Sequence, residues 1–279
     1  MSICKDASIR YLYDLGYNPI KLPSEAIDTY YILFRKSKRT VEAMGTLEHF
    51  IVDPHPDEFP FVHRDIPAAL IEGIYSIKHE LGFGLSILNN LLSALGGAGV
   101  DLSAKYQNAQ KIQFQYRNVL LNQVYRAPLA EYLRSVKPKS DHPFIDYLDE
   151  EKEAYIVVDI ARSNSFVVEA FDDSGASLNL GVEGIQQAIG TKIDVGTAEN
   201  SQSKIVYQGE KHISFAFKAI PFWIDRESDP PEFVLSPFNA PVVLRKVRSA
   251  AEEPRLSMPK DTLINTSEEK PLIRIEKRF

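Results

Sequence analysis

The stretch KIQFQYRNV, residues 111–119, constrains the fold more than any other part of the chain. Ile112, Phe114 and Tyr116 alternate with Gln113, Gln115 and Arg117, a two-residue period that suits an extended strand with one apolar and one polar face. Two later runs extend the theme. YIVVDIARSNSFVVEAF, residues 155–171, predicts two long strands around a β-hairpin turn from Arg162 to Ser165, and DDSG at 172–175 turns the chain again. TKIDVG followed by SKIVYQGEKHISFAFKAIPFWI predicts three more strands. In the last of these Ile213, Phe215, Phe217 and Ala219 share one side, with His212, Ser214, Ala216 and Lys218 on the other.

Helical spacing fills the intervals. Ile66, Leu70, Ile74, Ile77 and Leu81 predict a helix over 66–80, and Leu85, Leu88, Leu92 and Leu95 predict a second that stops at Gly96 and Gly97. Shorter helices are predicted at 129–136 and 182–190, strands at 17–22 and 30–34, a proline-rich loop at 52–61 and an acidic turn at 148–153. Beyond Asp225 the composition shifts to ESDPPEF, SPFNAP and EEPR, so the chain divides into a body, 1–243, and a proline-punctuated tail, 244–279. No repeat of 20–50 residues points to a solenoid. The fold class is α+β: a twisted mixed, largely antiparallel sheet with packed helices and a short C-terminal segment.

With 44% hydrophobic residues, 279 positions suffice for a sizeable core. A formal net charge of −6, with no basic stripe interleaved with aromatics, argues against nucleic acid as a partner. His49, His55, His63, His79, His142 and His212 show no zinc-ligand spacing, so no metal is expected. The single cysteine, Cys4, closes no intrachain disulfide, and the first residues lack the regions of a signal peptide, so a cytoplasmic protein is expected. Residues 81–100 are uncharged and long enough to span a bilayer, but five glycines, two asparagines and two serines make a poor membrane helix. Neither a GxSxG elbow nor a GxxxxGK[ST] loop is present, and Asp101, Asp172, Asp173, Glu150 and Glu151 fall in predicted turns. No catalytic residues are assigned.

The order of several segments resembles the bacterial gasdermins. It is carried by CKDASIRYLYDLGYNPIKLP, AIDTYYILF, FVHRDIPAALIEGIYS, LGFGLSILNNLLSALGG and YQNAQKIQFQYRNV, and then by IQQAIGTKIDVG with the strand run that ends at Ile224. The likeness runs from Cys4 to about Asp225. It implies a non-enzymatic pore-forming effector of antiphage defence, held inactive by a short C-terminal segment. On that reading an activating protease, caspase-like or trypsin-like, removes the segment. The body then self-associates into a large homo-oligomeric β-barrel in the inner membrane, in contact with membrane lipids, and the cell dies. The resemblance also implies a palmitoyl group on Cys4 and no other cofactor. Strands at 111–125 and 155–171 are long enough to cross a bilayer, with Asp159 and Glu169 facing the lumen. Two other classes stay open: a soluble lipid carrier with an acylated Cys4, and a hydrolase with an unfamiliar site.

Three further features are read from the residues. Arg35, Lys36, Lys38 and Arg39 are a candidate contact with anionic headgroups, each cation worth roughly 1 kcal/mol near such a surface. In PLIRIEKRF, 271–279, Leu272 and Arg274 alternate with Ile273 and Ile275, suiting a strand that covers an open sheet edge. Leu244, Arg245, Lys246, Val247 and Arg248 mark the expected cleavage region. Intact mass before and after hydroxylamine should differ by one acyl group at Cys4. An unmodified mass in untreated protein removes the lipidation.

Overall fold

The computed structural model describes residues 12, 15–24, 27–37, 40–54, 59–68, 71, 76–96, 102–189, 192–198, 201–236 and 274–277. Strands β1 (Asn18–Ser24), β2 (Tyr31–Ser37), β3 (Thr40–Thr46), β4 (Val62–Pro67) and β5 (Ser76–Glu80) precede helix α1 (Leu81–Ala94). Next come β6 (Lys111–Arg117), β7 (Leu120–Val124), helix α2 (Arg126–Ser135) and β8 (Ala154–Phe171). Helix α3 (Val182–Ile189), β9 (Ile193–Ala198), β10 (Ser201–Asp225), β11 (Glu232–Leu235) and β12 (Arg274–Lys277) complete the order. The fold is α+β, a twelve-stranded sheet in which every pairing is antiparallel except β12 on β3.

The sheet is built on β8 and β10, which pair antiparallel from Lys204↔Glu169 to Pro221↔Tyr155. The other edge of β8 meets three strands in turn: β2 at 154–156, β7 at 159–162 and β6 at 165–171. This arrangement corrects the predicted hairpin at Arg162 to Ser165, because β8 is one strand of 18 residues. The break lies in its neighbour, between β6 and β7, where Asn118 takes a left-handed φ of 49°. Ser163 and Ser165 are buried opposite that break. The Ser163 hydroxyl shares its one proton between the carbonyls of Arg117 and Ser165, so a polar run that reads as a turn is a mid-strand splice.

Two further expectations are corrected. Among the described residues of 66–80, both ends of the predicted helix are strand. Residues 62–67 pair with β7 and 76–80 with β6, so at both ends strand neighbours override the helical spacing. The run from 201 to 225 is a single strand of 25 residues, and its irregularities are absorbed by register shifts at 208/213, 214/216 and 218/219. The second shift also breaks the predicted two-sided pattern. Phe215 and Ala216 both pack in one core, and Phe217 and Ala219 in another. Strand β3 was not predicted, and the strands at 17–22 and 30–34 begin one residue later and run further.

Three apolar clusters result. The first joins α1, through Leu85, Leu88, Leu91, Leu92 and Leu95, to Leu12, Phe114, Phe166, Ile185 and Tyr207. The second lies under α2 and includes Leu129, Leu133, Ile156 and Phe222. The third is enclosed by β1, β10, β8, β2 and β3, through Ile20, Phe217, Val157, Leu33 and Val41. Within the first cluster α1 comes so close to β10 that a Cβ built on Gly209 would stand 2.9 Å from Leu95 Cβ and 3.2 Å from its carbonyl oxygen. Glycine is needed there for space. Gly209→Ala should lower unfolding stability by about 1–3 kcal/mol, read from urea denaturation, because the crowded partner includes backbone. A neutral result removes the close approach.

Candidate functional site

β3 is the strand at which the last described residues of the chain meet the sheet. β3 has β2 on one side, in register from Tyr31↔Thr46 to Ser37↔Thr40. On the other side β12 runs parallel to it, with Arg274↔Thr40, Ile275↔Val41, Glu276↔Glu42 and Lys277↔Ala43. The last described strand of the chain therefore occupies an edge whose backbone groups would otherwise face outward. β12 also lies alongside β1, so the path β1-β10-β8-β2-β3-β12 curls back on itself around the third apolar cluster. The edge-covering role read from the alternation in 271–279 has its structural counterpart in residues 274–277.

Of the four cations proposed for membrane contact, Arg35 has a described side chain, and that side chain is engaged. It forms an ion pair with Glu153, and its Nη2 donates to the Tyr155 hydroxyl at 3.1 Å. The guanidinium carbon lies 5.8 Å from the Tyr155 ring centroid. Glu153 sits at a left-handed φ of 48° immediately before β8, so this contact ties the end of β2 to the start of the longest ladder. Lys36 is carried by β2, and Lys38 and Arg39 lie outside the described residues. Cys4 and the cleavage region Leu244 to Arg248 lie outside them too. The nearest described residue after Cys4 is Leu12, fully buried in the cluster of α1.

The sequence reading missed an aromatic surface. Phe61 is 75% exposed and Tyr125 55%, and His63 bridges them with ring centroids 4.9 Å from Phe61 and 4.3 Å from Tyr125. Beside them opens a cleft of about 600 Å³ lined by Tyr30, Phe59, Pro60, Phe61 and Arg64. Its wall is held by Asp28, whose Oδ2 accepts from Arg64 at 2.8 Å and whose Oδ1 accepts from Asn122 at 2.9 Å. Burial pushes the Asp28 carboxyl up, but hydrogen bonds from Asn122, Arg64 and the Thr29 amide outweigh it and hold the group below its ordinary value. No pattern in the sequence brings Phe61, His63 and Tyr125 together.

Among the described residues no group of three or more His, Cys, Asp or Glu is gathered to hold a metal ion. No helix among them is long and apolar enough to cross a membrane, a statement that does not extend to strands. The comparison with known families is decisive, since the model of the Bacterial Gasdermin Family matches residues 20–229. The chain belongs to the bacterial gasdermin family. A gasdermin of Vitiosangium sp. (strain GDMCC 1.1324) is 35% identical over 219 residues, covering 78% of this chain and 81% of the relative. One from a Desulfuromonadales bacterium is 31% identical over 224 residues, covering 80% and 83%. The solved structure of a bacterial gasdermin from Bradyrhizobium tropiciagri shares the fold with a TM-score of 0.61 at 16% identity, covering 84% of this chain and 92% of that one. Membership places the chain in a family of pore-forming cell-death effectors rather than among enzymes.

The geometry around Arg35 separates two effects that a four-fold charge reversal would mix. Arg35→Glu sets like charges side by side at Glu153, and should cost about 1–3 kcal/mol of stability in denaturant titration. Reversal of Lys36, Lys38 and Arg39 alone should leave stability within about 0.5 kcal/mol and weaken binding to anionic vesicles, more at low salt than at high. Equal loss of binding to neutral vesicles overturns the headgroup role.

Proposed function

We propose that this gasdermin is an autoinhibited pore-former whose tail, 244–279, restrains the body, 1–243. The observation that carries the reading is the seat of β12 on the edge of β3. A protease, caspase-like or trypsin-like, cuts in the region Leu244 to Arg248 and leaves β12 with no covalent tether to the body. A strand held by a few ladder bonds is kept in place mainly by its tether, because the tether raises its effective concentration, and cutting the tether lets it leave. The edge of β3 is then open to pairing with another copy.

The activated body self-associates into a large β-barrel in the inner membrane and kills the cell, as a step of antiphage defence. Only a closed barrel lets strands cross a bilayer with every backbone group paired, and β8 and β10 supply unbroken runs longer than the 9–11 residues a crossing strand needs. Contact with membrane lipids is made through Lys36, Lys38 and Arg39, joined by Arg35 once it parts from Glu153. A palmitoyl group on Cys4 assists. One acyl chain is a marginal anchor by itself, which suits a group that adds to insertion without fixing the resting protein to lipid.

The test uses the full chain with an unrelated protease site in place of 244–248 and dye-filled vesicles containing anionic lipid. Dye should be released only after the unrelated protease is added, and the cut protein should migrate as a large oligomer from the membrane fraction. Cut protein that stays monomeric and releases no dye overturns the reading in favour of a lipid carrier.

A further inference from the structure

We infer that Tyr17, Asp159 and Lys218 form a latch that holds the segment ahead of β1 on the two long strands, and that it must open before the α1 half of the sheet rearranges. The inference rests on the pore-forming reading above for its functional consequence, and on side-chain geometry for the latch itself.

Asp159 is 5% exposed, in the middle of β8. Its Oδ2 accepts a hydrogen bond from the Tyr17 hydroxyl at 2.8 Å and from Gln123 Nε2 at 2.9 Å, with Lys218 Nζ 3.8 Å away. The Lys218 ammonium also stands 4.2 Å from the Tyr17 ring centroid. One carboxylate oxygen therefore gathers β7, β8, β10 and the chain before β1. Tyr17 passes the restraint on, since its amide donates to the Leu12 carbonyl at 2.7 Å and both residues pack in the cluster of α1. Burial under these partners drives the Tyr17 phenol far above its ordinary value, so it stays a hydrogen-bond donor.

The position gives the latch its meaning. Val157 and Ile160 face the third apolar cluster, Val158 faces the second, and Ala161 begins the first, where α1 packs. The ladder shifts register here, between Lys218 and Ala219. Asp159 thus lies at the waist between the base of the sheet and the half that carries α1, α3 and β9.

The second oxygen, Oδ1, is buried without a hydrogen-bond partner. A buried acceptor left unpaired is unfavourable, and it gains water as soon as the cover lifts. Once Tyr17 moves, the hydration of Oδ1 and of the Lys218 ammonium favours further opening. The latch therefore has two states, closed and dry or open and wet, with little stability between them.

Tyr17→Phe removes one hydroxyl and keeps the ring, its packing and its contact with Lys218. In the full chain with the unrelated protease site, this variant should release dye roughly tenfold faster after cutting than its parent, the step expected for one hydrogen bond to a charged group. Lys218→Met should act in the same direction, and it serves if Tyr17→Phe does not fold. Hydrogen exchange on the uncut protein gives an independent reading. The Tyr17 amide should exchange at least about tenfold faster in both variants while the amides of β2 and β3 keep their rates, a local change that general destabilisation does not produce. Release rates within about twofold of the parent, together with unchanged exchange at Tyr17, overturn the latch. Faster exchange at Tyr17 in a protein that never releases dye keeps the latch and overturns the pore.

Discussion

The antiparallel ladder between β8 and β10 is the contact on which the rest of the molecule depends. All three apolar clusters draw residues from both strands, so none of them forms without the pair in register. A ladder of this length is usually broken by a turn or a switch of sheet. Here it survives because its mismatches are taken up by irregularities in both strands, extra residues in β10 at 208/213 and 214/216 and one in β8 between Val157 and Asp159, each of which re-aims the residues that follow. The shift between Ser214 and Ala216 sends Phe215 and Phe217 into different clusters, although strict alternation would keep them together.

Much of the architecture was legible wherever one side chain pattern answered to one partner. KIQFQYR alternates and forms a strand buried on its apolar face, and the leucines of 85–95 share one face of a helix that packs as a stripe. The misreadings have a common cause. RSNS looks like a turn because its residues prefer turns, yet the buried Ser163 hydroxyl serves the Arg117 carbonyl at a break in the neighbouring strand and the backbone of Ser165 in its own. Residues 66–80 satisfy a helical period, yet 66–67 pair with β7 and 76–80 with β6, strands that lie further along the chain. Local preference can be read along the chain, but a preference for a distant edge cannot.

The candidate sites divide in the same way. The alternation of the last residues was enough to suggest an edge strand, because a strand carries its own signature. Arg35 read as one of four solvated cations, and its engagement with Glu153 and Tyr155 depends on how β2 meets the start of β8. Asp159 was assigned to a lumen-facing position by its place in a long strand. In the resting fold it is buried, because Tyr17, Gln123 and Lys218 arrive from three other parts of the chain. The aromatic surface of Phe61, His63 and Tyr125 left no trace in the sequence, since its members come together only when β4 pairs with β7.

One edge of β8 is shared among β2, β7 and β6, three strands in succession along a single backbone. A strand with one partner over its whole length is lost or kept as a unit, whereas one with three partners can be uncovered in sections. The junction opposite Ser163 and the gap between residues 156 and 159 mark where one section ends and the next begins. The fold is thus divided along its longest strand into segments that can change partners one at a time, so a large rearrangement need not pass through a state in which the whole sheet has come apart.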